Sequence, residues 1–78
     1  MYYLYILKNQ TGKYYIGSTI NVSERLKRHN SGGSNWTSKY KPWDLVYIEE
    51  FGTKSEAIKR EKVVKSYKGG NAFFKLIK

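Results

Sequence analysis

The apolar positions of this chain fall into two kinds of pattern. Tyr2-Tyr3-Leu4-Tyr5-Ile6-Leu7 is aromatic or aliphatic at every position, as in a largely buried strand. Lys13-Tyr14-Tyr15-Ile16-Gly17-Ser18-Thr19 reads as a second strand, and the turn-forming Asn9-Gln10-Thr11-Gly12 between them predicts a hairpin. Its register is open. If Tyr5 and Tyr15 face each other, the loop centres on Gln10, with an odd-length loop or a bulge near Gly12. A four-residue loop at Asn9 to Gly12 instead pairs Tyr5 with Ile16 and puts the two tyrosines on opposite faces.

From Asn21 the period becomes helical. Val22, Leu26 and His29 share a stripe, Arg25 lies on its flank, and Lys27 and Arg28 turn towards solvent. Asn21 with Glu24 suits an N-terminal cap, with Ser23 as a competitor, and Ser31-Gly32-Gly33 should stop the helix. A polar loop from Gly32 to Pro42 carries Trp36, Thr37, Lys39, Tyr40 and Lys41, and a third strand runs from Trp43 to Phe51. Thr53 with Glu56 makes a capping box for a helix from Lys54 to about Tyr67, ended by Gly69-Gly70. The apolar tail Ala72 to Ile77 should pack back as a short helix. The predicted order is β-β-α-β-α-α, in the α/β (α+β) class, without internal repeats.

Seventy-eight residues suit a single domain over 1–78. A chain this short buries only about 60% of its unfolded surface, so its core is small. With no cysteine, disulfides, thiolate metal sites and cysteine nucleophiles are excluded together. No apolar run approaches membrane-spanning length, and Met1-Tyr2-Tyr3-Leu4 lacks the layout of a signal peptide. A soluble, cytoplasmic protein is expected. Fifteen Lys and Arg against six Asp and Glu give a formal charge of +9, which points to a polyanionic partner, most often nucleic acid. The bland alternative is a basic surface that only confers solubility; the aromatics interleaved with the charge favour nucleic acid.

Glu61 is the sharpest chemical candidate. On a helical wheel it falls between Ala57 and Ile58 with Val64 close by, inside the arc that should face the protein body. A carboxylate held there is costly unless it is paired or coordinates a cation. The structural alternative is a salt bridge to a neighbouring Lys or Arg, or a place at the wet end of the stripe. A single carboxylate argues against a two-metal site and suits one hard cation, Mg²⁺ or Mn²⁺, whereas zinc lacks ligands. Arg25 can present a bidentate fork to a phosphate. His29, the only histidine, is either structural or a base that can hydrogen-bond a tyrosine hydroxyl. Strand packing alone accounts for most of the eight tyrosines.

Together these residues resemble the GIY-YIG nuclease superfamily, in particular its small single-domain branch of uncharacterised UPF0213-like proteins. Tyr3-Leu4-Tyr5 stands at the first motif, with Tyr3 in place of the glycine, and Tyr15-Ile16-Gly17 is the second in full, continued by Ser18-Thr19. Glu24-Arg25-Leu26-Lys27-Arg28-His29-Asn30 resembles the arginine helix, Lys41 to Tyr47 the approach to the third strand, and Ser55 through Glu61 to Lys65 the metal helix.

The resemblance implies a three-stranded antiparallel sheet flanked by helices, with the site on one sheet face that Tyr5 and Tyr15 share and Arg25 and Glu61 overlook. It assigns Tyr15 as general base or water-orienting phenol, with Tyr5 bonding water or phosphate beside it. Arg25 would stabilise phosphoryl charge, Glu61 bind the metal and His29 assist proton transfer. Asn71 is the nearest candidate for a polar residue after the metal helix. Lys27, Arg28, Trp36, Lys39, Tyr40 and Lys41 are candidate nucleic-acid contacts. No separate DNA-binding domain is expected, so action on DNA would be structure-directed or weakly selective. An unperturbed tyrosine titrates near 10, and Arg25 with a metal should lower that value. The alternative is a non-catalytic module holding DNA or RNA on Trp36, Tyr40 and Trp43.

Overall fold

A run with no polar position must be covered on both sides, and β1 (Tyr2–Asn9) is the middle strand of the sheet, with Leu4, Tyr5, Ile6 and Leu7 all buried. In the computed structural model, which describes residues 1–31, 39–68 and 70–77, β2 (Tyr14–Thr19) and β3 (Trp43–Phe51) flank it, both antiparallel. The sheet order is β2-β1-β3. The helices are α1 (Val22–Asn30), α2 (Lys54–Ser66) and α3 (Asn71–Leu76), so the predicted order of elements holds.

Neither anticipated hairpin register forms. Tyr5 pairs with Gly17 and Leu7 with Tyr15, two residues beyond the register that would set the tyrosines opposite each other. The cause is Asn9, buried at the end of β1. Its Oδ1 accepts from the Thr11 amide at 3.1 Å and the Lys13 amide at 2.7 Å, while Gly12 takes the left-handed conformation at φ 87°. Because the shift is an even number of residues, Tyr5 and Tyr15 still project from the same face, as diagonal neighbours.

Each sheet face has its own core. Leu4 and Ile6 pack with Val64 of α2 and Phe73 of α3, joined by Ile16, Tyr47 and Phe51. Tyr5 and Leu7 pack on the other face with Trp43, Tyr15, and Val22 and Leu26 of α1. A bulge divides β3 between these cores. Ile6 pairs with Tyr47 but Leu7 with Leu45, so Val46 is the extra residue and the side-chain alternation inverts across it. Trp43 thereby joins the α1 face while Tyr47 and Phe51 join the α2 face.

Caps form where the sequence indicates. Asn21 rather than Ser23 caps α1, accepting from the Glu24 amide at 3.0 Å, and Thr53 caps α2, accepting from the Glu56 amide at 3.2 Å. Asn30, on the last turn of α1, clasps the Trp43 backbone. Its Oδ1 accepts from the Trp43 amide at 2.6 Å and its Nδ2 donates to the Trp43 carbonyl at 3.2 Å. No helix among the described residues is long and apolar enough to cross a membrane.

Candidate active site

Side-chain alternation puts Tyr5, Tyr15 and Gly17 on the α1 face, and α1 brings His29 down over them, with Arg25 half-buried one turn earlier and near enough for its charge to act on Tyr5 and His29. The Tyr5 hydroxyl and His29 Nε2 share a hydrogen bond of 3.0 Å, and both residues are only 1% exposed. The Tyr15 ring lies against both, its centroid 4.6 Å from His29 and 6.1 Å from Tyr5. Tyr15 itself is half-buried and reaches the surface.

Gly17 is the floor of this cluster. A Cβ there would stand 2.7 Å from the Tyr5 hydroxyl, 2.9 Å from its Cζ and 3.1 Å from Tyr15 Cε2. The glycine of the second motif is therefore the space into which the Tyr5 ring folds. Only the cross-strand register exposes this role.

Burial sets the electrostatics of Tyr5 and His29. Burial raises the Tyr5 phenol well above its usual range, helped by the neighbouring Tyr15 hydroxyl and by the Glu61 carboxylate; Arg25 opposes this and loses. Tyr5 is thus a neutral phenol at any physiological pH, not an activated one, and it is sealed from the surface rather than open to water or phosphate. His29 is lowered by burial, with Arg25 and Arg28 adding repulsion, so its imidazole is neutral near pH 7.

The placement of Glu61 differs from the one expected. It does not stand above the tyrosine face: α2 packs on the opposite face, and Glu61 meets the sheet at the β2 edge. Ser18, which alternation turns to the α2 side, donates its hydroxyl to Glu61 Oε1 at 2.8 Å. Glu61 is nevertheless near enough for its charge to act on Tyr5. Lys65, one turn along, donates to Oε2 at 2.7 Å, so the ion pair weighed as the structural alternative is present. The Lys65 side chain is 55% exposed against 21% for Glu61, and such a pair is weak and readily opened.

A carboxylate and a hydroxyl oxygen already facing a cation form a hard-oxygen donor set that fits Mg²⁺ or Mn²⁺. Among the described residues, no three His, Cys, Asp or Glu side chains are grouped to hold a metal by themselves.

The remaining candidates separate by burial. Lys27 and Arg28 on α1 are exposed, as are Lys39 and Lys41. Tyr40 is half-buried: its carbonyl accepts from Asn9 Nδ2 at 3.1 Å, the Lys13 ammonium lies 4.8 Å from its ring centre, and it packs against the Leu7 and Trp43 core. Trp43 is 2% exposed and cannot offer a face to a base. Trp36 lies outside the described residues. Asn71 is exposed at the start of α3 and takes no part in the Tyr5–His29 or Ser18–Glu61 bonds. Sequence reasoning missed Asn9, Asn30 and Ser18 as positioning residues. Asn9 stood in the predicted turn, Ser18 directly after the second motif and Asn30 at the end of the arginine-helix segment, and none of these places announced a positioning role.

Residues 1–72 match the family described as the GIY-YIG catalytic domain. UPF0213 proteins of Staphylococcus saprophyticus and Staphylococcus epidermidis are each 42% identical over 67 residues, covering 85% of this chain and 82% of theirs. The NMR solution structure of a UPF0213 protein from Bacillus halodurans is similar with a TM-score of 0.51 at 36% identity, over 94% of this chain and 92% of that one.

Proposed function

We propose that this protein, which belongs to the GIY-YIG catalytic-domain family and so to a nuclease superfamily, is a divalent-metal-dependent endonuclease. It would hydrolyse phosphodiester bonds in DNA by structure-directed or weakly sequence-selective action. The observation that carries this is the convergence of Tyr15, His29 and Tyr5 over Gly17, with the Arg25 charge acting on Tyr5 and His29 and Glu61 at the same strand edge through Ser18.

Roles follow from burial. Tyr15 reaches the surface and is the phenol that meets the attacking water. Tyr5 is a positioning residue: buried and neutral, it holds His29 by the 3.0 Å bond and backs the Tyr15 ring. His29 has the neutral form a proton acceptor needs and lies against Tyr15. Arg25 supplies a fork of donors for charge building on the phosphoryl oxygens. Glu61, steadied by Ser18, would hold Mg²⁺ or Mn²⁺, which when bound supplies Lewis-acid stabilisation of the phosphate. A binder that stacks bases on aromatics is less well supported, since Trp43 is core and Tyr40 half-buried.

The test incubates purified protein with supercoiled, branched, nicked and single-stranded DNA and with RNA, in Mg²⁺ or Mn²⁺ and then in EDTA. Metal-dependent DNA products are expected, reduced about 10²–10⁴-fold by Tyr15→Phe and at least as far by Glu61→Ala, both still folded. Undiminished cleavage by Glu61→Ala would sink the one-metal assignment. Salt-sensitive binding without products would leave a binding module in its place.

A further inference from the structure

Next to Arg25 the surface carries an arrangement that neither proton transfer nor cation binding uses. The turn between β2 and α1 opens onto a concavity of about 360 Å³ lined by Thr19, Ile20, Asn21, Glu24, Arg25 and Arg28. Ile20 is 68% exposed, more than any other large apolar side chain among the described residues. Its backbone is nonetheless held on both sides. The Asn21 amide donates to Thr19 Oγ1 at 3.1 Å, and the Asn21 side chain is locked as the α1 cap at 3.0 Å from the Glu24 amide. A branched apolar side chain is thus presented to solvent from a fixed turn, spent on no core. Arg25 and Arg28 lie one helical turn apart, and both line the concavity. Glu24 is the one acid on this rim, and its backbone is taken up by the cap.

We propose that Ile20 is a wedge for deformed DNA. Arg25 and Arg28 take successive phosphates of one strand across the concavity, and Ile20 enters the gap at an unstacked base step beside them. Arginines that grip the backbone carry no sequence information, whereas an apolar side chain pushed between bases reads how easily the stack opens. At a nick, a branch or a flexible pyrimidine–purine step much of the unstacking cost is already met, so such sites are selected over uniform duplex. The wedge rests on the proposed nuclease function only in placing Arg25 beside the scissile phosphate; its effect is on binding.

The experiment uses wild-type protein in EDTA with 2-aminopurine placed at a three-way junction, in a nicked duplex and in a uniform duplex. Fluorescence should rise several-fold on binding the junction and the nick. Ile20→Ala should abolish the rise and weaken junction binding about tenfold, the scale of losing most of one buried aliphatic side chain, with uniform-duplex affinity unchanged within about twofold. Ile20→Leu should keep the rise. Arg28→Ala should weaken all substrates alike and lower the salt slope by about one. Because Ile20 is exposed, Ile20→Ala should melt with the wild type. An unchanged junction-to-duplex ratio in Ile20→Ala overturns the wedge while leaving the nuclease standing. Failure of the wild type to bind any DNA overturns both.

Discussion

Gly17→Ala tests whether the site is built as described, without relying on catalysis. Gly17 does not adopt positive φ, so alanine meets no backbone strain there, only a lack of space. The new methyl would stand 2.7 Å from the Tyr5 hydroxyl and 2.9 Å from Tyr5 Cζ. That ring is 1% exposed and tied to His29, so it can move only by repacking and by breaking the 3.0 Å bond. Overpacking of this kind costs about 1–3 kcal/mol. Losing the buried bond between Tyr5 and His29 costs about 1–3 kcal/mol more. Against this, alanine is favoured over glycine within a strand by roughly 0.5–1 kcal/mol.

The expected net loss is about 1–5 kcal/mol, with a fall in Tm of roughly 4–8 °C for each kcal/mol in a domain of this size. Tyr5→Phe alone should cost about 1–3 kcal/mol through loss of the same buried bond. The double variant removes the nearest clashing atom and loses the His29 bond only once, so the two costs should fall short of adding by at least about 1 kcal/mol. Urea and thermal unfolding followed by circular dichroism complete the cycle, with the His29 pKa from NMR as a second readout. A Gly17→Ala protein melting at or above the wild type with His29 still depressed refutes the placement of Tyr5 over Gly17, and so do strictly additive costs.

Three further outcomes follow from the same geometry. The folded state depresses His29, so below about pH 6.5 the unfolded chain takes up a proton that the folded chain refuses, and stability contributed by neutral His29 is lost as pH falls. The Tm of the wild type should therefore drop more steeply between pH 7 and 5 than that of His29→Gln; parallel curves would exclude the effect. On the proposed role of Glu61 as metal ligand, its ion pair with Lys65 opposes the metal, so Lys65→Met should tighten Mn²⁺ binding measured by EPR about twofold, the worth of an exposed i, i+4 pair, and Glu61→Gln should abolish it. An unchanged affinity in Lys65→Met rules the competition out. Asn30→Ala removes both bonds to the Trp43 backbone and should cost about 1–3 kcal/mol by urea unfolding, whereas a neutral result would mean that water replaces the clasp.

Much of the fold was legible because most of the local patterns had a single structural solution. The unbroken apolar run of Tyr2 to Leu7 became the central strand because a strand with two apolar faces needs cover on both. The Val22, Leu26 and His29 stripe became the inner side of α1, and Asn21 and Thr53 became its cap and that of α2. Even Glu61 was readable in both its aspects, placed in the inner arc and paired with a lysine one turn away. The candidate nucleic-acid aromatics were less legible. Trp43 and Tyr40 look alike in sequence whether they line a groove or fill a core, and burial alone distinguishes them.

The chain by itself determined the elements, the basic charge and the candidate residues for a phosphate, because those depend on spacing within one segment. Only the tertiary structure decided which of them meet. Asn9 shifted the hairpin by two residues and so kept Tyr5 and Tyr15 on one face with Gly17 beneath the Tyr5 ring. The extra residue at Val46 sent Trp43 to one core and Tyr47 to the other. Packing on opposite faces brought Glu61 to the site around the β2 edge through Ser18 rather than from above. A strand has a period of two, so one inserted residue inverts every side chain beyond it, and such a slip is set by long-range contacts that no local pattern records.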